Sequence, residues 1–303
     1  MRLHPTGRFD NSARSYVHIV AEPLAAAMGA EIRGVQVSRL TDEAFAEIAD
    51  ALYRHKMIFF RDQDMGLADQ ERFTLRFGPF GRDAYTQGIE GHPDVQRVVK
   101  EADARTPLIF GSGWHTDSPF LARPPAISLL YGFEIPPFGG DTIWSDTELA
   151  FRCLSPTMQE ILRPLKVRMS AGEVLRTMNE IAAATGQPGR LGSTAISADA
   201  GPMVEGAAHP LVRRHPVTGA EALYVDETYT RGIEGLTDRE AAPLIAFLQS
   251  HVTQPAFTCR LRWAPRTFAL WDNRLCIHQA FNDHDGYRRE MHRTIVEGEE
   301  PSR

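Results

Sequence analysis

A histidine and an aspartate two residues apart carry the clearest chemical signal in the sequence. They are His115 and Asp117, within the segment Ser112 to Ser118. In an extended strand this spacing places both side chains on the same face. Side by side, they supply two of the three ligands of a 2-His-1-carboxylate facial triad, which binds Fe(II) in non-haem oxygenases. A buried histidine beside a surface aspartate has the same spacing, so the pair needs support from elsewhere in the chain.

The C-terminal segment offers a third ligand and two cations. His278 follows the motif WDNR at 271–274, and Arg289 and Arg293 lie four residues apart beyond it. In a strand, both arginines point to one face with Met291 between them. Buried guanidinium groups need anionic partners, and their forked geometry matches a carboxylate, a sulfonate or a phosphate. The alternative is an edge strand on which both arginines pair with surface acids.

Length and composition limit the classes of protein that the sequence encodes. The 303 residues suffice for one large domain or two modest ones, and 43% hydrophobic with 24% charged residues is typical of a globular protein. The net charge of −6 favours neither nucleic acid nor an anionic membrane as a partner. The three cysteines show no CxxC spacing, which disfavours structural zinc and disulfides and fits a reducing cytoplasm. Neither a signal peptide nor a membrane span is predicted.

The predicted elements are short strands with a few helices. Apolar residues recur at helical spacing near residues 42–53 and 68–77, and further helix starts are predicted at Ser155 and Thr237. Pro243 conflicts with the last helix, because proline removes a backbone donor, so this helix is expected to start late or kink. Strand patterns occur at 57–60, 95–99, 126–133, 141–144, 257–263 and 268–271. We therefore expect a mainly β fold with helical decoration, either an antiparallel barrel or a jelly roll.

Three segments are expected to be irregular within a single domain over 1–303. Residues 1–15 are polar and are predicted to form a loose N-terminal arm. Residues 184–208 hold few large apolar side chains and many Gly, Ala, Ser and Pro residues, which predicts a flexible insertion or lid. The loop at 79–94 is rich in glycine and polar residues, and such loops often carry substrate contacts.

Four separated motifs follow one another in a characteristic order. They are WHTD at 114–117, GGDT at 139–142, WDNR at 271–274 with His278, and the Arg289/Arg293 pair. With this order and spacing, the sequence resembles the taurine dioxygenase-like family of Fe(II)/2-oxoglutarate-dependent dioxygenases over nearly its whole length. Within the family it looks most similar to dioxygenases that cleave phenoxypropionate herbicides. The resemblance implies a double-stranded β-helix, or jelly roll, and an oxidoreductase that uses Fe(II), 2-oxoglutarate and O2.

The resemblance also implies a role for each motif residue. His115, Asp117 and His278 would ligate Fe(II) as the catalytic centre. The distal carboxylate of 2-oxoglutarate would meet Arg289 and the hydroxyl of Thr142. Hydroxylation of a C–H bond would accompany formation of succinate and CO2, and an ether or ester at that carbon would then be cleaved. Asp117 favours hydroxylation over halogenation, because related halogenases lack this carboxylate.

The substrate pocket is where the sequence departs from the family. Arg293 is expected to face a small organic anion bearing a carboxylate, sulfonate, sulfate or phosphate, and Tyr85 and Gln87 are further candidate contacts. Gly111, also a candidate, stands where taurine dioxygenase has an asparagine, and LYVDE at 223–227 replaces the usual LYVN. Because the pocket loop is polar, aryloxyalkanoates and more polar anionic metabolites both remain open as substrates.

Two hypotheses from other classes remain. One is a non-catalytic barrel that binds a small acid and carries a degenerate metal site, which the intact triad and Arg289 disfavour. The other is a zinc-type hydrolase with the same ligands, which would have no need for Arg289 and lacks a placed general base. As a family expectation, the enzyme forms a homo-oligomer, either a dimer or a tetramer, in the cytoplasm, without nucleic-acid or membrane partners.

Overall fold

In the computed structural model, the described residues are 11–82, 85–86, 88–104, 111–185, 190–191, 194–195 and 201–303. The strands are β1 (Val20–Pro23), β2 (Ala30–Arg33), β3 (Met57–Phe60), β4 (Gly88–Ile89), β5 (His92–Lys100), β6 (Ile127–Glu134), β7 (Thr142–Asp146), β8 (Lys166–Met169), β9 (Arg190–Leu191), β10 (Thr194–Ala195), β11 (Ala207–Pro210), β12 (Val212–Arg214), β13 (Glu221–Leu223), β14 (Thr230–Ile233), β15 (Thr258–Leu261), β16 (Phe268–Asp272), β17 (Cys276–Ala280) and β18 (Arg289–Val296). The helices are α1 (Asp42–His55), α2 (Leu67–Leu75), α3 (Thr147–Arg152), α4 (Pro156–Leu162), α5 (Gly172–Thr185), α6 (Gly201–Glu205) and α7 (Asp238–Val252), with 3₁₀ turns at Val37–Arg39 and Pro255–Phe257.

Two β layers enclose the core. The larger layer is an eight-stranded sheet in the order β1-β2-β3-β16-β6-β18-β5-β4, antiparallel except between β2 and β3. The smaller layer contains the sheets β15-β7-β17 and β11-β8-β14 and the hairpin β12-β13. Apolar side chains from both layers share one buried cluster. The prediction of a mainly β fold with helical decoration is confirmed, and the arrangement is that of a jelly roll.

Strand β3 contributes side chains to a buried cluster on each face of the large sheet. Met57 and Phe59 point into the cluster between the layers, whereas Ile58 and Phe60 point to the other face. There they pack with α1 and with Phe73 of α2, so the predicted helices cover the outside of the sheet. This period-two alternation follows from the pleat of a strand. Each large apolar side chain withdrawn from water contributes roughly 2 kcal/mol, so both faces stabilise the sheet that carries the site.

Helix α7 corrects one expectation from the sequence. It begins at Asp238, directly after the predicted capping box, and continues past Pro243, so the expected late start is wrong. The carboxylate of Glu240 accepts the backbone N–H of Thr237 at 2.9 Å, which fixes the first turn. Burial of Leu248 and Val252 outweighs the one backbone hydrogen bond that Pro243 cannot donate.

The segments predicted to be irregular are described only in part. Residues 1–10, 186–189, 192–193 and 196–200 lie outside the described residues, so the loose arm and the lid remain predictions. At the end of the predicted arm, Asn11 is buried and its amide donates to the carbonyls of Ala25 and Gly29. Strand β11, at the end of the 184–208 segment, pairs with β8 and so belongs to the smaller layer. Helix α5, which precedes that segment, has no counterpart among the predicted elements.

Candidate active site

The three candidate metal ligands lie together between the two layers. His115 and His278 form an antiparallel bridge, in which each backbone N–H donates to the carbonyl of the other residue at 2.9 and 2.7 Å. Their Nε2 atoms lie 3.7 and 3.9 Å from Oδ1 of Asp117. All three donor atoms fall within 4.8 Å of one another and all three residues are buried. They are close enough to share one ion, and two imidazoles with one carboxylate suit Fe(II).

The environment of each imidazole favours the state that binds metal. Nδ1 of His115 lies 2.8 Å from the carbonyl oxygen of Gly113, so Nδ1 carries the proton and Nε2 keeps its lone pair. Burial is the main cause that lowers the pKa of His278, to about 3, and a proton on the neighbouring His115 would lower it further. A ligand histidine must be neutral, so His278 is in the required state. The rings of Trp271 and Trp144 pack at 4.7 and 6.5 Å from the ring of His278 and hold it in place.

Asp117 is held as a carboxylate by the groups around it. Burial raises the pKa of its carboxyl group, but proximity to the imidazole of His278, the guanidinium of Arg293 and the imidazole of His115 lowers it more, so the pKa lies below its ordinary value. The hydroxyl of Ser128 on β6 donates to Oδ2. The other oxygen, Oδ1, faces the two imidazoles and lies 3.7 Å from Nη1 of Arg293. One oxygen is therefore fixed by the protein, and the other faces the metal position.

A chain of hydrogen bonds fixes Ser128 in turn. The amide of Asn273 donates to the Ser128 hydroxyl at 2.9 Å, and the indole N–H of Trp271 donates to the amide oxygen of Asn273 at 2.9 Å. The neighbouring Asp272 is buried and pairs with Arg274 at 2.7 Å, which holds the turn between β16 and β17. The WDNR motif thus supports the carboxylate ligand. Ser128 was not among the predicted site residues, because a serine within an apolar strand carries no distinctive signal.

The two residues predicted to anchor 2-oxoglutarate, Thr142 and Arg289, both lie beside Trp263. The indole of Trp263 donates to Oγ1 of Thr142 at 2.9 Å and lies 6.0 Å from the guanidinium carbon of Arg289. Because its oxygen already accepts this bond, the Thr142 hydroxyl keeps its own proton for another acceptor. The sequence predicts only a strand position for Trp263. Its contact with Thr142 joins residues 121 positions apart, which a local pattern does not reveal.

Arg289 is a buried cation on β18. It is 6% exposed, its Nε has no hydrogen-bond partner, and no carboxylate of the described residues forms an ion pair with it. Burial lowers the pKa of its guanidinium to about 10. The alternative of an edge strand with surface partners is wrong, because β18 lies between β6 and β5. A buried, uncompensated guanidinium fits the carboxylate of a bound cosubstrate.

A cavity of about 290 Å³ opens beside the metal ligands. Of the predicted substrate contacts, Arg293, Tyr85 and Gly111 line this cavity, whereas Gln87 lies outside the described residues. The hydroxyl of Tyr85 donates to that of Tyr229 at 2.7 Å, which closes one wall. Gly111 has φ +82°, and a Cβ there would lie 3.2 Å from Cε1 of a ligand histidine. Glycine therefore leaves room beside the metal site where taurine dioxygenase carries a larger residue.

The unpredicted helix α5 supplies another part of the cavity wall. Val174 and Met178 present apolar side chains, and Glu173 of the same helix lies 3.4 Å from Nε of Arg231. Arg231 also donates to the carbonyls of residues 228 and 230, which holds its side chain against the wall. The cavity thus combines an apolar stretch with a charged pair. This part of the cavity wall was not predicted from the sequence, because no helix was predicted at Gly172–Thr185.

Comparison with known proteins decides the family. The family described as Taurine catabolism dioxygenase TauD, TfdA family matches residues 21–295. The chain belongs to the TauD/TfdA family. It is 33% identical over 282 residues to an alpha-ketoglutarate-dependent sulfate ester dioxygenase of Pseudomonas putida, covering 92% of this chain and 89% of that protein. It is 27% identical over 260 residues to the (S)-phenoxypropionate/alpha-ketoglutarate-dioxygenase of Sphingobium herbicidovorans, covering 85% and 88%. A crystal structure of a taurine dioxygenase from Burkholderia xenovorans has a TM-score of 0.75 at 30% identity, covering 94% and 91%.

Membership of the TauD/TfdA family confirms the predicted enzyme class and cofactors. The protein is a 2-oxoglutarate-dependent non-haem iron dioxygenase, and the non-catalytic and hydrolase alternatives are not favoured. The donor set of two neutral imidazoles and one carboxylate fits Fe(II), which supplies C–H oxidation with 2-oxoglutarate and O2 when bound. Within the described residues, no helix combines the length and apolar character needed to cross a membrane.

Ser128→Ala is expected to weaken metal binding about 10- to 100-fold, because Oδ2 of Asp117 loses the donor that orients the carboxylate. Calorimetric titration of the metal-free protein with Mn(II) measures this effect. Ser145→Ala is the matched control, since Ser145 is equally buried but donates to the carbonyl of Val252. Equal Mn(II) affinity in the two variants would contradict the role given to Ser128.

Proposed function

We propose that the enzyme hydroxylates a carbon of a small alkyl sulfate ester or sulfonate, whose anionic group binds Arg293. The observation that carries this proposal is the position of Arg293, a buried cation in the cavity wall with Nη1 3.7 Å from the ligand oxygen of Asp117. Its forked donors match the oxygens of a sulfate or sulfonate group. The named relatives act on a sulfate ester, on phenoxypropionate or on taurine, which supports a small anion.

The apolar stretch of the cavity supports the alkyl part of this substrate. Val174 and Met178 line the same cavity as Arg293, so an anion held by Arg293 leaves its carbon chain to pack against α5. Anchoring both ends of the substrate fixes the C–H bond beside the metal ligands. The buried pair of Tyr85 and Tyr229 excludes water from that space.

Each other site residue has a distinct task in this proposal. His115, Asp117 and His278 hold the metal, while Arg289 and Thr142 hold the distal carboxylate of 2-oxoglutarate. In a sulfate ester, hydroxylation of the carbon that bears the ester oxygen gives a hemiacetal-like product. Its hydroxyl loses a proton, a C=O bond forms, and the C–O bond to sulfate breaks with its electron pair on the sulfate. The products are an aldehyde and sulfate, and a sulfonate releases sulfite by the same sequence at its C–S bond.

We also propose that the chain acts as one domain over 1–303, in a homo-oligomer in the cytoplasm, without nucleic-acid or membrane partners. Among the described residues, no disulfide joins Cys153, Cys259 or Cys276, which supports a reducing compartment. The net charge of −6 disfavours polyanionic partners. The position of α5 in the cavity wall supports a lid role for the segment 184–208 that follows it.

Succinate formation stimulated by a panel of substrates tests the proposed function. The panel holds an alkyl sulfate, an alkyl sulfonate, an aryloxypropionate and the uncharged parent alcohol. We expect the sulfate or the sulfonate to stimulate succinate formation most and the alcohol not to stimulate it. Arg293→Ala should form succinate with little substrate product, because the anion is no longer held. Equal stimulation by the alcohol, or an unchanged ratio of product to succinate in the variant, would refute the proposal.

Arg289→Ala is expected to weaken binding of 2-oxoglutarate to the Mn(II)-loaded protein about 30-fold or more, because a buried charge pair is lost. Mn(II) binding itself should change less than about threefold, since Arg289 is not a ligand. Both affinities come from calorimetric titration. Arg97→Ala serves as the control, since this arginine pairs with Glu290 on the outer side of the sheet. Unchanged affinity for 2-oxoglutarate in Arg289→Ala would remove Arg289 from its assigned role.

A further inference from the structure

Two buried polar groups beside the GGDT turn lack hydrogen-bond partners. His284 is 0% exposed, and neither Nδ1 nor Nε2 of its ring makes a hydrogen bond. The Nε of Arg289 is likewise buried and unpartnered. A buried polar group without a partner destabilises the fold, so such groups in a native protein call for a functional explanation. The role proposed for Arg289 explains one of the two groups and leaves His284 unexplained.

Both groups lie next to Gly140 of the GGDT turn. Its φ is +67°, and a Cβ added there would lie 3.2 Å from Nε of Arg289 and 3.4 Å from Nδ1 of His284. The two nitrogens therefore border the same point beside the turn. The backbone N–H of Gly140 donates to Oδ1 of Asp283 at 2.7 Å, which ties the turn to the loop that carries His284. Thr142 follows two residues later, so this space adjoins the predicted cosubstrate anchor.

The charges around His284 favour an anionic ligand. Lys100 on β5 is buried directly opposite Arg289 on β18, and its Nζ pairs with Asp285 at 2.6 Å. Burial, followed by the charges of Lys100 and Arg289, lowers the pKa of His284 to about 4. The adjacent carboxylates of Asp283 and Asp285 act in the opposite direction but are outweighed. The ring is therefore neutral near pH 7 and offers one N–H donor and one acceptor. A carboxylate is an acceptor-only group that satisfies this donor and the guanidinium together.

We propose that His284 is a third binding residue for the distal carboxylate of 2-oxoglutarate, donating an imidazole N–H alongside Arg289 and Thr142. The inference rests on the proposed roles of Arg289 and Thr142. Its specific consequence is selectivity among 2-oxo acids. His284 contributes to the binding of an acid with a distal carboxylate and contributes nothing to 2-oxobutyrate, which has the same keto and C1 carboxylate groups but no distal one.

The affinities of the Mn(II)-loaded His284→Leu variant for these two acids test the proposal. The Kd for 2-oxoglutarate should rise about tenfold or more, as expected for loss of a hydrogen bond to a charged group, and the Kd for 2-oxobutyrate should stay within about twofold. His284→Gln keeps an N–H donor and should recover most of the affinity. His55→Leu replaces another fully buried histidine, whose ring contacts Asn11 and not the GGDT turn, and should leave both Kd values unchanged.

Two results would overturn the proposal. One is a folded His284→Leu variant, judged by its thermal midpoint, that binds 2-oxoglutarate like the parent enzyme. The other is an equal loss of affinity for both acids, which marks a purely structural role.

Should His284→Leu not fold, NMR of isotope-labelled histidines in the Zn(II)-loaded parent enzyme decides the question. The His284 signal, assigned with His284→Gln, should shift on adding 2-oxoglutarate but not 2-oxobutyrate, and an unmoved signal overturns the proposal. If Arg289→Ala also binds 2-oxoglutarate normally, the proposed cosubstrate site itself is wrong. If the His284 variants bind 2-oxoglutarate normally but Arg289→Ala does not, the cosubstrate site stands and only the role proposed for His284 is wrong.

Discussion

A pair of backbone hydrogen bonds between His115 and His278 determines where every other group of the site must lie. The bridge joins a loop residue to strand β17 and places two imidazoles on one side of the smaller layer. Asp117, two residues along, then points to the same space and reaches Ser128 on the larger layer. The metal position is thus a point where both layers of the jelly roll meet. Shifting either layer relative to the other would separate the ligands.

Charge is the second constraint on this interior. Arg293 and Arg289 enter it from one strand, whereas Asp117 is the carboxylate that lies beside Arg293 and faces the metal position. The two arginines are separated along β18, so one lies near the metal ligands and the other near the GGDT turn. Such an arrangement is costly in the protein alone and is balanced when anions bind. In the proposed function, the anionic cosubstrate balances the charge of Arg289, and the anionic group of the substrate binds Arg293.

The sequence predicted those parts of the site that depend on local periodicity. The spacing of Arg289 and Arg293 predicts that they share one face of a strand, and both lie on β18. His115 and Asp117 are brought together as predicted, but they lie in a loop joined to β17 by a single bridge and not in a strand. The parts it did not predict depend on contacts between distant segments. Ser128, Trp263 and His284 sit in ordinary strand or loop contexts that carry no distinctive signal. Ser128 meets Asp117 from another element, Trp263 meets Thr142 from 121 residues away, and His284 lies beside the turn at Gly140. Helix α5 was not predicted. Helix α7 was expected to start late because of Pro243, but its capping box and its buried face fix the start at Asp238.

The central claim is that one set of ligands and one buried arginine together position 2-oxoglutarate on the iron. Anaerobic addition of 2-oxoglutarate to the Fe(II)-loaded protein, followed by visible absorption, tests it most directly. Chelation through the keto and C1 carboxylate oxygens predicts a metal-to-ligand charge-transfer band that appears with Fe(II), is absent with Zn(II), and titrates to one equivalent. A protein that binds Fe(II) at this site but gives no such band at saturating 2-oxoglutarate would contradict the account.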